Sequence, residues 1–467
     1  MITLSDKVLI RNGCVLTMDD SLGNFETADI LIENGKITAV QPGLDVSDAE
    51  IVDATGMIVL PGFVDTHRHV WESVIRNAGV DWSLQTYLGH LYFGGLGGKL
   101  RPEDVYIGNL LGALEALDAG ITSLLDWSMV NSPEHGDEMV RALQESGIRA
   151  VFAHGTPLLG AGDFWSRDSQ LTHSHDAKRL KEKYFSSTDQ LLTMGLAIRG
   201  PEFSSWEATL HDIKLARELD AICSMHVGFG SWGFVDHSIE KMYEAGLLGP
   251  DMNLVHSNSI TDEACRMIAE TGTSVSVTPE VEMMMGHGYP LTGRLFEQGG
   301  RPTIGIDVVT STGGDMFAQM KFAIQADRQR VNAPILGRGA MPDKLNLSAA
   351  EVLKFATIDG ARALGLESKV GSLTPGKQAD IVMIRATDIN LTPVNDPIGA
   401  VVLCAHTGNV DSVFVAGRAV KRGGRLLDVD MGRISTLAAK TRDYIFAEYG
   451  TPEGAWPLQQ GTTTAQS

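Results

Sequence analysis

The stretch from Met57 to Val70, Met-Ile-Val-Leu-Pro-Gly-Phe-Val-Asp-Thr-His-Arg-His-Val, runs apolar and then ends in a His-x-His pair. Residues two apart in a strand project to the same side, so His67 and His69 present two imidazoles toward one point while Arg68 faces the other way. Two imidazoles aimed at one point are a pair of metal ligands where the strand ends in a pocket, and a metal held that way can activate water. The spacing alone also arises as an exposed or hydrogen-bonded pair. Here the apolar run, the Pro61-Gly62 turn and the approach through Asp65 and Thr66 set it at the end of a buried strand. Three more β-forming runs, 221–226, 252–256 and 303–307, close on His226, His256 and Asp307.

Groups so far apart in the chain meet only if a regular scaffold brings their strand ends together. Between about residue 62 and 366 the sequence alternates strand candidates with helical stretches, the rhythm of a parallel sheet. After the first strand come 122–126, 150–153, 195–199, 221–226, 252–256, 273–278 and 303–307, with helices over 101–117, 210–218, 261–270 and 314–328. The first of these helices carries Pro102 and acids in its opening turn, as helix starts do. Both flanks of this region are β-rich. The runs 8–13, 28–35, 36–40 and 51–56 read as a small antiparallel sheet with hairpin signals at Asn12-Gly13 and Asn34-Gly35. Matching runs return over 371–384, 410–417 and 418–421, so the two ends are expected to form one discontinuous domain.

The segment Pro-Gly-Phe-Val-Asp-Thr-His-Arg-His, ending at His69, resembles the strand-one signature of the amidohydrolase superfamily of metal-dependent hydrolases. Ala-Arg-Ala-Leu-Gly-Leu over 361–366, followed by Gly-Ser-Leu-Thr-Pro-Gly-Lys-Gln-Ala-Asp over 371–380, resembles the same superfamily's return from barrel to small domain. The likeness covers essentially the whole chain and points to the branch of cytosine deaminases, S-adenosylhomocysteine deaminases and triazine hydrolases. It implies an α/β fold: a distorted (β/α)8 TIM barrel with a discontinuous small β-sandwich domain formed by both chain ends. The expected divisions are 1–61 and 367–427 for the sandwich, 62–366 for the barrel, and 428–467 for a C-terminal helix and tail. In such a barrel functional side chains stand at the C-terminal strand ends. There His67, His69, His226 and Asp307 offer three imidazoles and a carboxylate, a set suited to Zn²⁺ first, with Fe²⁺ or Mn²⁺ as alternatives. The resemblance assigns these four as ligands, with Asp307 also taking the water's proton, and His256 as the residue orienting water or substrate. The fourth strand ends in Arg199 where the binuclear branch has a bridging Lys, so one divalent metal per chain is expected.

One position departs from the related deaminases, which carry a Glu three residues after the fifth-strand His as proton shuttle. Here the sequence reads His226-Val-Gly-Phe229. Glu280 and Glu282, after the seventh strand, are the candidate replacements, and His287 in the same loop is a candidate substrate contact. The missing Glu tilts the reading toward hydrolysis of an amide, carbamate or urea, with hydrolytic deamination of a heterocycle as the competing subclass. Glu72 is expected to point back at the pocket after His69, and Trp71 and Trp82, with Tyr87, Trp165 and Trp232, could sandwich a planar substrate. His154 follows the third strand as a further candidate substrate contact, whereas His173 and His175 read as a surface loop.

Composition narrows the partners. With 467 residues, 43% hydrophobic and 21% charged, the chain has the make-up of a soluble globular enzyme. A formal net charge of -20 argues against nucleic acid or an anionic membrane and for a small neutral or cationic substrate. Cys14, Cys223, Cys265 and Cys404 are scattered and read as reduced, mostly buried thiols. The N-terminus carries no secretory pattern, so a cytoplasmic address is expected. Residues 430–450 read as a helix that could pack against a second subunit, and resemblance implies a homo-oligomer; the polar stretch 459–467 reads as a mobile tail. The reading from another class is a non-catalytic amidohydrolase-like scaffold protein, whose relatives usually lose ligands that this chain keeps.

Overall fold

The computed structural model describes residues 7–450. Eight parallel strands lie side by side in chain order: Phe63–Arg68, Ile121–Trp127, Arg149–Gly155, Leu192–Ile198, Ile222–Val227, Met252–His256, Ser274–Val277 and Pro302–Ile304. Nearly every residue in them is buried, as expected of parallel strands covered on both faces. The eighth strand meets the first through Thr66, whose hydroxyl lies 2.9 Å from that of Thr303 and donates to the Ile304 carbonyl at 3.1 Å. Past the strand ends the closure continues in backbone bonds, Asp307 N–H to the His67 carbonyl and His69 N–H to the Asp307 carbonyl, both 2.9 Å. The eighth strand is shorter than the sequence suggests, and Asp307 stands three residues beyond its end.

The barrel helices begin where side chains can satisfy their first amides. Ser205, Thr261 and Asp315 accept from backbone N–H groups at the starts of Trp206–Glu218, Asp262–Thr271 and Met316–Gly337. The helix Pro102–Asp118 starts with a Pro and an Arg101–Asp104 clasp.

The chain ends build one nine-stranded sheet. From the first end come Lys7–Val15, Phe25–Glu33, Lys36–Gln41, Glu50–Asp53 and Met57–Pro61; from the second, Ile381–Arg385, Val410–Val415, Arg418–Arg422 and Arg425–Leu426. The seam between the ends is the antiparallel pair Met57–Pro61 and Ile381–Arg385. The sheet buries a core of its own, including Ile10, Ile30, Ile32, Ile381 and Met383.

Two details correct the sequence reading. The N-terminal part is mixed rather than antiparallel, because Lys7–Val15 pairs parallel with both Glu50–Asp53 and Met57–Pro61. Asn34-Gly35 is the expected tight hairpin, with φ of 51° and 76°. Asn12-Gly13 instead forms a bulge inside Lys7–Val15: Asn12 has φ 63°, and the register against Phe25–Glu33 shifts there. A Cβ on Gly13 would lie 2.6 Å from a Val59 methyl. An Asn-Gly pair supplies positive φ to a bulge as readily as to a turn, and local sequence does not distinguish them.

Two of the buried points that join sheet and barrel are specific. At Pro61-Gly62 the chain passes from one to the other, and a Cβ on Gly62 would lie 2.2 Å from Thr122. Arg149, opening the third barrel strand, grips Asp380 through two hydrogen bonds of 3.0 and 2.9 Å, with both side chains 1% exposed.

The C-terminal helix Met431–Tyr449 packs on its own barrel. Thr441 donates to Asp104 at 2.7 Å, Arg433 reaches Glu145 at 2.5 Å, and the Tyr449 hydroxyl lies 2.9 Å from His90 Nδ1. Through His90, and through Lys99 donating to the Glu448 carbonyl at 2.6 Å, this helix braces the helical turns between residues 84 and 99. The expected tail over 459–467 lies outside the described residues. No helix among the described residues is long and apolar enough to cross a membrane. Cys14, Cys223, Cys265 and Cys404 are unpaired; Cys223 and Cys265 are buried, whereas Cys404 is exposed.

Candidate active site

His67 is the penultimate residue of the first barrel strand and His69 lies just past its end. Arg68 between them points outward, donating to Glu115 at 2.7 Å, so the alternation drawn from the sequence holds. His226 comes from the fifth strand and Asp307 from the turn after the eighth. The ligand atoms of His67, His69, His226 and Asp307 all lie within 4.8 Å of one another. Asp307 Oδ1 is 3.2 Å from His67 Nε2 and 3.5 Å from His69 Nε2.

The backbone is strained where it sets these groups. Asp307 has φ 69° and His256 φ 67°, left-handed conformations that cost non-glycine residues of order 1–3 kcal/mol each. The paired backbone bonds between Asp307 and the first strand hold one of them.

Burial keeps the imidazoles uncharged. It pulls His67 below its ordinary value, His69 to about 3 with help from neighbouring His67, and His226 well below. Burial opposes ionisation of Asp307, but the His67 hydrogen bond and the facing histidines outweigh it and hold the carboxyl well below its usual range. Three neutral nitrogen donors and one carboxylate form a donor set that fits a borderline divalent metal such as Zn²⁺.

His256 ends the sixth strand, with Nε2 3.7 Å from Asp307 Oδ2. Its Nδ1 lies 3.2 Å from Glu282 Oε1 and 3.2 Å from the Thr278 hydroxyl, which in turn donates to Asp307 Oδ2 at 3.3 Å. Glu282 is fully buried, and burial raises its carboxyl.

Glu280 faces elsewhere. It accepts from Gln319 at 2.9 Å, and burial pushes it to about 7. Phe229, standing where an acid was sought, packs its ring 5.0 Å from His256 and 5.5 Å from His287. Arg199 turns away from the centre, donating to Ser169 at 3.1 Å and to the carbonyls of Phe164 and Leu171.

Beside the four donors is a cavity enclosing about 40 Å³, room for roughly three waters. His287, Tyr87 and Trp165 line it. Glu72 stands behind Tyr87, accepting its hydroxyl at 2.6 Å, and burial raises Glu72 well above its ordinary value.

Trp71, Trp82, Trp232 and His154 are not among the lining residues. Trp71 is buried in the core, Trp82 stacks on His90 at 4.6 Å, and Trp232 packs on Phe203 and Phe229. His154 Nδ1 lies 2.9 Å from His173 Nε2. That contact corrects the surface reading of the second His-x-His: His173 is 3% exposed, its amide donating to Asp212, and only His175 faces solvent. Its lack of a preceding strand concealed that burial.

The sequence reading missed Trp127, the last residue of the second strand, whose ring lies 4.5 Å from His226 and 5.2 Å from His69. Its position at a barrel strand end was the available signal.

Comparison with known proteins agrees with this architecture. The profile of the amidohydrolase family matches residues 58–420. The chain is 29% identical over 426 residues to the 5'-deoxyadenosine deaminase of Methanothermobacter thermautotrophicus, covering 89% of this chain and 94% of that protein. It is 28% identical over 428 residues to the 5-methylthioadenosine/S-adenosylhomocysteine deaminase of Symbiobacterium thermophilum, covering 89% and 93%. Similar solved folds include a zinc-bound adenosine deaminase from Xanthomonas campestris, with TM-score 0.82, 23% identity, and 94% and 98% of the two chains covered. A zinc-bound atrazine chlorohydrolase from Arthrobacter aurescens aligns with TM-score 0.80, 22% identity, and 93% and 100% covered.

Proposed function

The chain belongs to the amidohydrolase family, and from that premise we propose that it is a metal-dependent hydrolase of C–N bonds other than peptide bonds, acting on a small cyclic or aromatic nitrogenous compound. The observation that carries the reading is the convergence of His67, His69, His226 and Asp307 within 4.8 Å at the edge of a cavity. These four residues would hold one divalent metal, Zn²⁺ by preference. When bound, that metal supplies Lewis acidity, which makes a water nucleophilic near neutral pH.

The chain's own groups handle the proton. Asp307, kept ionised, accepts it as the water's oxygen bonds to the trigonal carbon. His256 sits beside Asp307 with Nδ1 held by Glu282 and Thr278, leaving Nε2 free to hydrogen-bond the water and then the oxygen that gains charge. The proton passes from Asp307 or His256 to the leaving nitrogen, and the C–N bond breaks. Glu282 acts through His256 rather than on the substrate, and Phe229 keeps water away from that face. Arg199, committed to backbone carbonyls, leaves no bridging group for a second ion, which supports a single-metal centre.

The relatives named as deaminases favour release of ammonia, while Phe229 in place of an acid favours another leaving nitrogen. The test is an assay of metal-quantified protein against aminated heterocycles, cyclic amides and aryl ureas, following ammonia and ultraviolet absorbance together. One metal per chain with hydrolysis lost in Asp307→Asn is expected. A metal-free, inert protein would overturn the reading, and metal-replete protein that cleaves nothing in the panel would return the scaffold alternative.

A further inference from the structure

We propose that the cavity takes a neutral planar nitrogen heterocycle with apolar substituents, anchored at one ring-edge nitrogen by His287, and rejects sugar-bearing counterparts such as nucleosides. The inference rests on the hydrolase reading above and specifies its substrate.

The wall carries the argument. Away from the metal-binding group and His256, it is made by Leu84, Leu88, Phe203, Phe229, Val281 and Met285, with further aromatic rings between them. Among the described residues no lysine, arginine or amide side chain lines it, and the one lining carboxylate is Asp307. The Tyr87 hydroxyl is committed to Glu72.

That leaves His287, which is 4% exposed with neither ring nitrogen hydrogen-bonded. Its ring lies 4.6 Å from that of His256 and 5.5 Å from that of Phe229, so it borders the same space as the water-handling groups. Burial lowers it to about 3, leaving a neutral imidazole with one donor and one acceptor. One such handle can read a ring nitrogen beside the scissile carbon; it cannot also satisfy a ribose. Among the described side chains away from the metal-binding group, the hydroxyl of Tyr92 is the remaining polar group on the wall, against the two or more hydroxyls of a sugar. A buried hydroxyl without a partner is expected to weaken binding about tenfold or more, so a ribosyl group loses on the order of 100-fold against an alkyl group of similar reach.

The cavity's 40 Å³ is far below the roughly 300 Å³ at the low end for ligand sites, so binding a heterocycle requires its walls, the turns between 84 and 93 among them, to give way. Phe203, Phe229, Val281 and Met285 follow the fourth, fifth and seventh barrel strands, outside the turns between 84 and 93, so that part of the wall is apolar whatever position those turns take.

The test uses matched pairs sharing the same aminated ring: 9-propyladenine with 5'-deoxyadenosine, and 1-propylcytosine with cytidine. Binding to the metal-loaded full-length protein is measured by calorimetry, alongside kcat/KM. A preference of at least 100-fold for the propyl member, in Kd or kcat/KM, is expected. Equal or better use of the sugar member overturns the proposal, as does failure of every compound to bind. Tight binding of the propyl members without release of ammonia would support this wall chemistry while removing deamination from the hydrolase reading; that reading itself fails only if the amides and ureas of the wider panel are also left uncleaved. In His287→Phe, metal content and melting temperature are expected to hold while propyl binding weakens at least tenfold; unchanged binding would remove His287 from the anchor role.

Discussion

On the proposed reading, a phenylalanine at position 229 leaves the proton traffic between water and the leaving nitrogen to Asp307 and His256. Asp307→Asn is expected to lower kcat/KM by about 1,000-fold or more, with metal content falling too, checked by elemental analysis beside kinetics. Glu282→Gln should behave differently. It keeps the shape but weakens the hold on His256 Nδ1, and losses of about 10–100-fold are typical of such supporting hydrogen bonds. Metal content and KM are expected to stay, with kcat carrying the loss. A second carboxyl records its surroundings in stability rather than rate. Glu202 is 1% exposed and accepts from the Gly228 amide at 2.9 Å, and burial pushes it from 4.5 to about 7. Below pH 4.5 both folded and unfolded states keep its proton. Between 4.5 and 7 only the folded state does, so stability falls as pH rises across that window and stays reduced above it. Glu202→Gln should therefore stabilise the protein at pH 8 by up to about 3 kcal/mol and change little at pH 4, measured by urea unfolding at both.

At the scale of elements, the passage from sheet to barrel through Gly62 is a tight joint in the site's scaffold. A methyl there would press on Thr122, which is fully buried and flanked by strands, so Gly62→Ala is expected to cost about 1–3 kcal/mol and lower the melting temperature. The strands themselves were largely legible, because parallel barrel strands are unbroken apolar runs and their ends carry the informative residues. His226 and His256 could be placed in this way. Asp307 could be named but not its posture, since its left-handed turn is imposed by the first strand across the barrel closure. What escaped the sequence depended on contacts between distant segments. The bulge at Asn12-Gly13 is fixed by neighbouring strands, the burial of His173 by His154 and Asp212, and the inward ring of Trp127 by the histidines it packs on. The aromatic residues drew the same limit. Tyr87 and Trp165 reach the cavity while Trp71 and Trp82 serve the core, and residue type alone cannot separate the two.

Across the whole molecule, the buried ion pair of Arg149 and Asp380 helps tie sheet to barrel. Removing the guanidinium in Arg149→Ala would strand Asp380 among buried groups, with the Ala416 amide as a remaining donor at 2.8 Å. A loss of about 3–5 kcal/mol is expected in denaturant unfolding. Seen from the gene, the C-terminal helix has a further meaning. Because Tyr449 and Glu448 hold His90 and Lys99 beside the turns that wall the cavity, substitutions in this helix can reach the site without touching a ligand. Selection could thus tune this enzyme's speed by changing residues of that helix, without touching a residue that meets the substrate.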